Sequence, residues 1–379
     1  MLCVECGETL NEGARFCPKC GGKQPEVETN VDEGATASGN DGERTNGSAT
    51  FPTSVIPNRV ERTIEAKSAV SSLNGKYIAL LVGKELQIMD ANTGEIVRSS
   101  EWMDWEGVGA VGSDGIHVGV SVQEKNQSGS NETKRYILNL ARQKNIHSDG
   151  WVGPIAFSAD CKKYAIKLKS TALTSFLSGS RKGSATSRVV SLPENEELFA
   201  IGEKIEAAFQ FSSDGRYLSG KANEWLCILN AHTGEKLYGL KGGNRMRFYP
   251  FSIDGSRFLT THGNTRIKVW QSQDTEPTEY KEHLLPPGYT CACFSTDDKA
   301  IVIGYENGYM RIINSETGKL LRELWHNDST KSVEWVSYSS NGQNLISYTD
   351  GKLNFWVQAN SIEPAELDPG DKQEEAAIP

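Results

Sequence analysis

A polar residue, a turn dipeptide and a short β-rich run recur seven times along the chain. They stand at Leu73-Asn74-Gly75, Ser113-Asp114-Gly115, Ser158-Ala159-Asp160, Ser212-Ser213-Asp214-Gly215, Ser252-Ile253-Asp254-Gly255, Ser295-Thr296-Asp297 and Ser339-Ser340-Asn341-Gly342. The turn residue advances from 74 to 114, 160, 214, 254, 297 and 341, in steps that are mostly 40 to 46 with one of 54. Asn-Gly and Asp-Gly are favoured hairpin turns because they tolerate positive φ. A chain of 379 residues is too long for one ordinary compact core, and a fixed period of this size resolves the difficulty with one small unit per repeat.

Apolar runs around each turn give the unit its strands. One precedes the turn, as in Ala207-Ala208-Phe209-Gln210-Phe211 or Val333 to Tyr338, and a second follows it, as in Tyr77 to Val82 or Ala300 to Gly304. A third comes next at Leu86 to Met89, Trp225 to Leu229, Ile267 to Trp270, Met310 to Ile313 and Leu353 to Trp356. A Thr-Gly turn (Thr93-Gly94, Thr233-Gly234, Thr317-Gly318) then leads into a fourth. Four strands per repeat of roughly 40 residues predict an all-β fold, a seven-bladed β-propeller spanning residues 59–358.

The repeat resembles a divergent WD-repeat. Trp270 and Trp356 stand where that family places the tryptophan of its Trp-Asp pair, and Asp90 stands where it places the aspartate; Asn230, Asn314 and Gln271 replace that aspartate elsewhere. The Gly-His pair that precedes a blade's first strand in the family is missing throughout, so the hydrogen-bond network it supports is expected to be lost and cohesion to come from packing. The segment Arg59 to Ala66 alternates like a strand, whereas nothing after Trp356 supplies an outer strand. Arg59 to Ala66 is therefore expected to complete the last blade and close the ring.

Two repeats are long, and both gain length between their second and third strands, at about 123–134 and 169–187. The resemblance places this connection on the face that WD-repeat proteins commonly use for partners. Loops on a rigid scaffold carry function, and they also collect neutral insertions.

Residues 1–23 carry a second signature. Cys3-Val4-Glu5-Cys6-Gly7 and Cys17-Pro18-Lys19-Cys20-Gly21 present two Cys-x-x-Cys pairs ten residues apart. Each pair turns two thiolates onto one ion, so Cys3, Cys6, Cys17 and Cys20 complete a tetrahedral zinc shell with no open position for a substrate water. Gly7 and Gly21 suit the tight turns behind each pair. Leu10 and Phe16 are the only sizeable apolar residues between the pairs, so folding of this segment is expected to depend on Zn2+. It resembles the short zinc-ribbon domains at the N-termini of many bacterial and archaeal proteins. A redox dithiol would want a strand-turn-helix setting around one pair, and two pairs this close together are better explained by one shared ion.

Residues 24–58 and 359–379 are acidic and poor in apolar side chains, and are expected to be a disordered linker and tail. The net charge of -9 argues against broad attraction to nucleic acid or anionic lipid. Within the ribbon Glu5, Glu8 and Glu12 offset Arg15, Lys19 and Lys23, a poor phosphate-binding surface. The longest strongly apolar run, Tyr77 to Val82, is far below the ~20 residues that span a bilayer. With no secretory leader pattern and thiols spaced for metal, the expected location is the cytoplasm.

Other motifs dissolve on inspection. Gly107-Val108-Gly109-Ala110-Val111-Gly112 matches a dinucleotide fingerprint by letters but precedes a hairpin turn rather than a helix. Cys291 and Cys293 alternate on a first strand beside Phe294 and read as buried small apolar residues, Cys161 and Cys227 as isolated ones. Trp102 and Trp105 read as aromatic packing between blades, and the six histidines form no nucleophile or metal pattern. The reading is a non-enzymatic scaffold: the propeller engages a protein partner, the zinc ribbon adds a tethered contact, and no small-molecule substrate is evident. The alternatives are a nucleic-acid-associated zinc-ribbon protein and a propeller enzyme with a site in the central channel.

Overall fold

The computed structural model describes residues 54–358, less 102–104, 126–128, 149–150, 169–186, 193, 202–204, 206, 242–247, 274, 276 and 327–330. The chain divides into two units, residues 1–49 and 50–379, and all described residues belong to the second. They form seven four-stranded antiparallel sheets. Six are simple meanders over residues 68–100, 105–148, 151–201, 207–241, 248–284 and 289–325, here blades one to six. Blade seven takes three strands from the C-terminal end, Val333–Tyr338, Leu345–Thr349 and Lys352–Val357. Its outer strand is Arg59–Glu65, paired antiparallel with Lys352–Val357. The expected ring closure is therefore present, and it joins the two ends of the propeller by hydrogen bonds.

The recurring turn owes its sequence to a closed local circuit. In six blades a buried serine (Ser72, Ser158, Ser212, Ser252, Ser295, Ser339) donates to the Asp or Asn two residues on, at 2.5 to 2.9 Å. The same oxygen accepts the amide five residues on, which starts the second strand. Serine is thus satisfied in the interior while it fixes the hairpin register. Blade two departs from the pattern: Gly112 holds the serine position, because a Cβ there would lie 2.8 Å from Asp114 Oδ1 and 2.9 Å from Cys161 Sγ. Asp114 instead accepts the amides of Ile116 and His117 and pairs with His117 Nδ1 at 2.6 Å.

The Thr-Gly turns follow a different logic. Asp90, Asn230 and Asn314 each accept two amides of the turn through Oδ1. The circuit uses only an oxygen acceptor, which is why asparagine replaces aspartate freely. Each of these turns also receives a side chain from the outer strand of the preceding blade. Arg62 donates to the Gly94 carbonyl at 2.7 Å. Phe199 covers Gly234, where a Cβ would meet its ring at 2.3 Å, and His283 covers Gly318, where the distance would be 2.7 Å. These glycines are small so that neighbouring blades can touch.

Two expectations are corrected. The histidine-supported network is present in two blades. In blade seven Trp356 Nε1 donates to Ser347 Oγ at 2.8 Å, His326 Nε2 lies 3.2 Å from that oxygen, and Asn354 Nδ2 lies 3.0 Å from His326 Nδ1. In blade five Trp270 Nε1 donates to Thr260 Oγ1 at 2.6 Å, with His262 Nε2 at 2.9 Å from it. The histidines enter from Trp325-His326 and from the second strand of blade five, outside any Gly-His pair, and folding brings them to the tryptophans. The second correction concerns residues 123–134, expected to be a loop. They extend the strands instead: His117–Lys125 and Asn131–Asn139 are nine residues each, against six for the matching strands of blades one and four.

The core runs between blades. Trp105, 6% exposed, packs with Leu81, Leu86 and Ile88 of blade one, the inter-blade use expected of it, while Trp102 lies outside the described residues. Cys161, Cys227, Cys291 and Cys293 are buried and form no disulfide, and Gly107 to Val111 lie within the strand Trp105–Val111.

Candidate functional site

Antiparallel meanders place the connections between first and second, and third and fourth, strands at one end of the ring, the turn face. The connections between second and third strands lie at the other end, which carries both insertions. The extended hairpin of blade two projects there. Its register pairs Gln123 with Thr133, Glu124 with Glu132 and Lys125 with Asn131. Glu124 anchors it, paired with Lys134 Nζ at 3.0 Å and accepting the Tyr136 hydroxyl. The hydrogen bond from Tyr136, and then that from Lys134, push the Glu124 carboxyl below its usual range. The insertion therefore begins as an ordered, polar two-stranded projection. The insertion of blade three at 169–187 lies outside the described residues except Ser187, which is buried in the strand Ser187–Ser191.

First strands line the central channel. Near the turn face the channel holds a cavity of about 230 Å³, walled by Val70, Phe251, Phe294, Trp335 and Tyr338 with Gln210, Ser213 and Ser337 among the polar groups. No acidic, basic or histidine side chain lines it. Among the described residues, this wall does not bring together the carboxylates and histidines that a channel enzyme requires.

Among the described residues, Asp, His and Cys meet at the junction of blades two and three. His117 turns Nδ1 to Asp114 and Nε2 towards Asn139, at 3.2 Å. Cys161 lies against Asp114, and burial together with that carboxylate pushes its thiol up to about 12. A thiol held protonated, with both imidazole nitrogens facing other partners, does not make a nucleophile. Among the described residues no group of three His, Cys, Asp or Glu is placed to hold a metal. The predicted zinc ligands Cys3, Cys6, Cys17 and Cys20 lie outside the described residues. Their donor set, four thiols in two Cys-x-x-Cys pairs, suits Zn2+.

One charged group is out of step with its surroundings. Asp298 adopts φ 57 in the turn slot where five blades place Gly75, Gly115, Gly215, Gly255 and Gly342. Its buried Oδ1 accepts no hydrogen bond among the described residues. Burial, and then the Asp254 carboxylate, push its pKa up to about 7, and Arg257 offsets this only in part. A raised carboxyl pKa penalises the fold from about pH 4 upward, and fully above pH 7. His326 acts with the opposite sign: burial holds it down at about 4, so stability falls as pH drops from its ordinary value towards 4. Asp298→Asn, which tolerates positive φ, should add about 2–4 kcal/mol to the unfolding free energy at pH 8 and almost nothing at pH 4. Denaturant titrations at both pH values would show it. An equal gain at both would mean that the carboxylate charge is not the cause.

Comparison with known proteins agrees with this architecture. Residues 2–23 match the zinc-ribbon domain family, and residues 268–341 match the family described as the anaphase-promoting complex subunit 4 WD40 domain. The crystal structure of the Myceliophteria thermophila Cps50 (Swd1) β-propeller domain is similar, with a TM-score of 0.58 at 14% identity over 80% of this chain and 100% of that one. No curated protein matches the chain. The fold defines a WD-repeat-like β-propeller protein. This chain folds as a seven-bladed propeller similar to those of that class, and its residues 2–23 match the zinc-ribbon domain family.

Proposed function

We propose that the protein is a non-enzymatic interaction scaffold whose insertion-bearing face engages a protein partner. The observation that carries this reading is the ordered hairpin of blade two, which presents polar side chains beyond the ring next to the second long insertion. WD40-type propellers fit such a role in general, and no charged or histidine side chain is among the described residues that line the cavity near the turn face. The zinc ribbon, with one structural Zn2+ held by Cys3, Cys6, Cys17 and Cys20, adds a second contact at the end of residues 24–58. A closed four-thiolate shell supplies folding free energy and no reactive position.

Affinity capture from a cell extract tests both parts with three proteins: the intact chain, a chain with residues 123–134 replaced by a two-residue turn, and Cys3→Ser/Cys6→Ser. A partner retained by the intact chain should be lost on shortening the hairpin. The cysteine variant should lose the one zinc per chain measured by elemental analysis and, with it, any ribbon-dependent protein. Capture of the same proteins by all three would defeat the reading.

A further inference from the structure

Blade six ends on an apolar edge. Its outer strand, Leu320–Trp325, is paired on one side only, with Tyr309–Asn314. Leu320, Leu321 and Trp325 are 45%, 39% and 56% exposed, and among the described residues no other outer strand exposes three large apolar side chains. A terminal strand presents a row of unpaired amides and carbonyls, and folded proteins ordinarily guard such a row with charge. Of the two charged side chains on this strand, Glu323 is already engaged from within the blade. Arg311 donates to its Oε1 from Nε at 2.9 Å, with Nη2 at 2.8 Å.

Two cross-strand rows run outward to this edge. Tyr305, Tyr309 and Trp325 stack in series, with ring centroids 4.2 and 5.0 Å apart and interplanar angles of 9° and 25°. Tyr305 is buried and Trp325 exposed, so the stack ends on an uncovered indole. Two residues along, Arg311 faces Glu323, positive then negative from the inside out. Neighbouring strands in a sheet lie ~4.8 Å apart, and opposed side chains on one face pair aromatic with aromatic and cation with anion. The next member of each row is thereby specified. It is an aromatic ring beyond Trp325 and a cation beyond Glu323.

We propose that an extended segment of a partner protein adds to this edge as a fifth, antiparallel strand, with an aromatic side chain opposite Trp325 and a basic one opposite Glu323. Main-chain hydrogen bonds along the edge supply affinity, and the two rows set the register. Antiparallel pairing puts the aromatic residue two positions before the basic one. Leu320 and Leu321 extend the contact at the far end of the strand. This edge lies on a different blade from the hairpin of blade two, so the inference stands without the role given to that hairpin.

The probe is a fluorescein-labelled peptide, Thr-Tyr-Thr-Lys-Thr-Ile-Thr, titrated with the full-length protein and read by anisotropy. Saturable binding is expected, with amide hydrogen exchange slowed along Leu320–Trp325. Trp325→Ala should weaken binding by about tenfold, the scale of one lost aromatic pair. Glu323→Lys should weaken it comparably, and exchanging the peptide's Lys for Glu should restore binding to that variant alone, which a merely unfolded edge would not allow. A peptide with Pro-Pro in place of Thr-Ile should not bind, because one of those two amides faces the edge and proline donates nothing to a ladder. Absence of binding by the first peptide, unchanged binding by Trp325→Ala, or no recovery on charge exchange would overturn the proposal. So would a doubled mass in sedimentation that Trp325→Ala abolishes, which would give the edge to a second copy of this chain.

Discussion

Deleting residues 1–66 should lower the unfolding free energy of the propeller by on the order of 5 kcal/mol, whereas deleting residues 1–50 should leave it within about 0.5 kcal/mol. The difference lies in Arg59–Glu65, the outer strand of blade seven. Its removal breaks a full antiparallel ladder to Lys352–Val357 and the bond from Thr63 Oγ1 to Asn354 Oδ1 at 2.7 Å. Asn354 would then hold His326 with one side open. Arg62 would no longer reach Gly94 of blade one, and the Tyr348 hydroxyl would lose the Ala66 carbonyl, its partner at 2.9 Å. Leu353, Phe355 and Trp356, now buried, would sit on an open edge prone to intermolecular pairing. Chemical denaturation of the two truncated proteins decides the matter. Equal stability would show that the first strand does not hold the ring together.

Gly75→Ala is expected to be among the most damaging single substitutions, at about 3–5 kcal/mol, and Gly215→Ala to cost only about 1. The two glycines occupy the same turn position in blades one and four, with φ of 66° and 75°. Alanine pays the left-handed backbone penalty at both. At Gly215 a Cβ meets nothing within 4 Å, whereas at Gly75 it would lie 2.2 Å from the backbone oxygen of Tyr338. A carbonyl in a strand cannot rotate away. That carbonyl belongs to the seam where blade seven meets blade one, which also holds the Ser340 amide on the Gly75 carbonyl at 3.0 Å. Asn344 Nδ2 reaches the Ala91 and Asn92 carbonyls at 3.0 and 3.1 Å across the same seam, and Trp335 Nε1 reaches the Ala69 carbonyl at 2.9 Å. Comparable losses in thermal denaturation of the two variants would mean that backbone conformation alone sets the cost.

Much of the fold was legible because its determinants are local. The Ser-x-Asp/Asn turn closes its hydrogen-bond circuit within six residues, so its letters repeat wherever the hairpin does. The outer strand of blade seven was legible for a related reason: the chain after Trp356 lacks a strand pattern and the chain at Arg59 has one. The candidate site was less so. Residues 123–134 are polar throughout, and polarity alone does not distinguish a loop from a solvated hairpin; cross-strand partners such as Glu124, Lys134 and Tyr136 decided it. The histidine network escaped notice because it joins His326 to Ser347, Asn354 and Trp356 across 21 to 30 positions, without the expected dipeptide.

By itself, then, the sequence determined the seven-fold repeat, its turns, the strand that closes the ring, and a four-thiol donor set whose spacing suits zinc. These are short-range patterns, each written within a few residues. Only the tertiary structure decided which glycines press against a neighbouring blade, what covers the Thr-Gly turns of blades one, four and six, and which neighbours push the Asp298 carboxyl up. Each of those depends on atoms that a different blade supplies, and such contacts leave no periodic mark on the residues that make them.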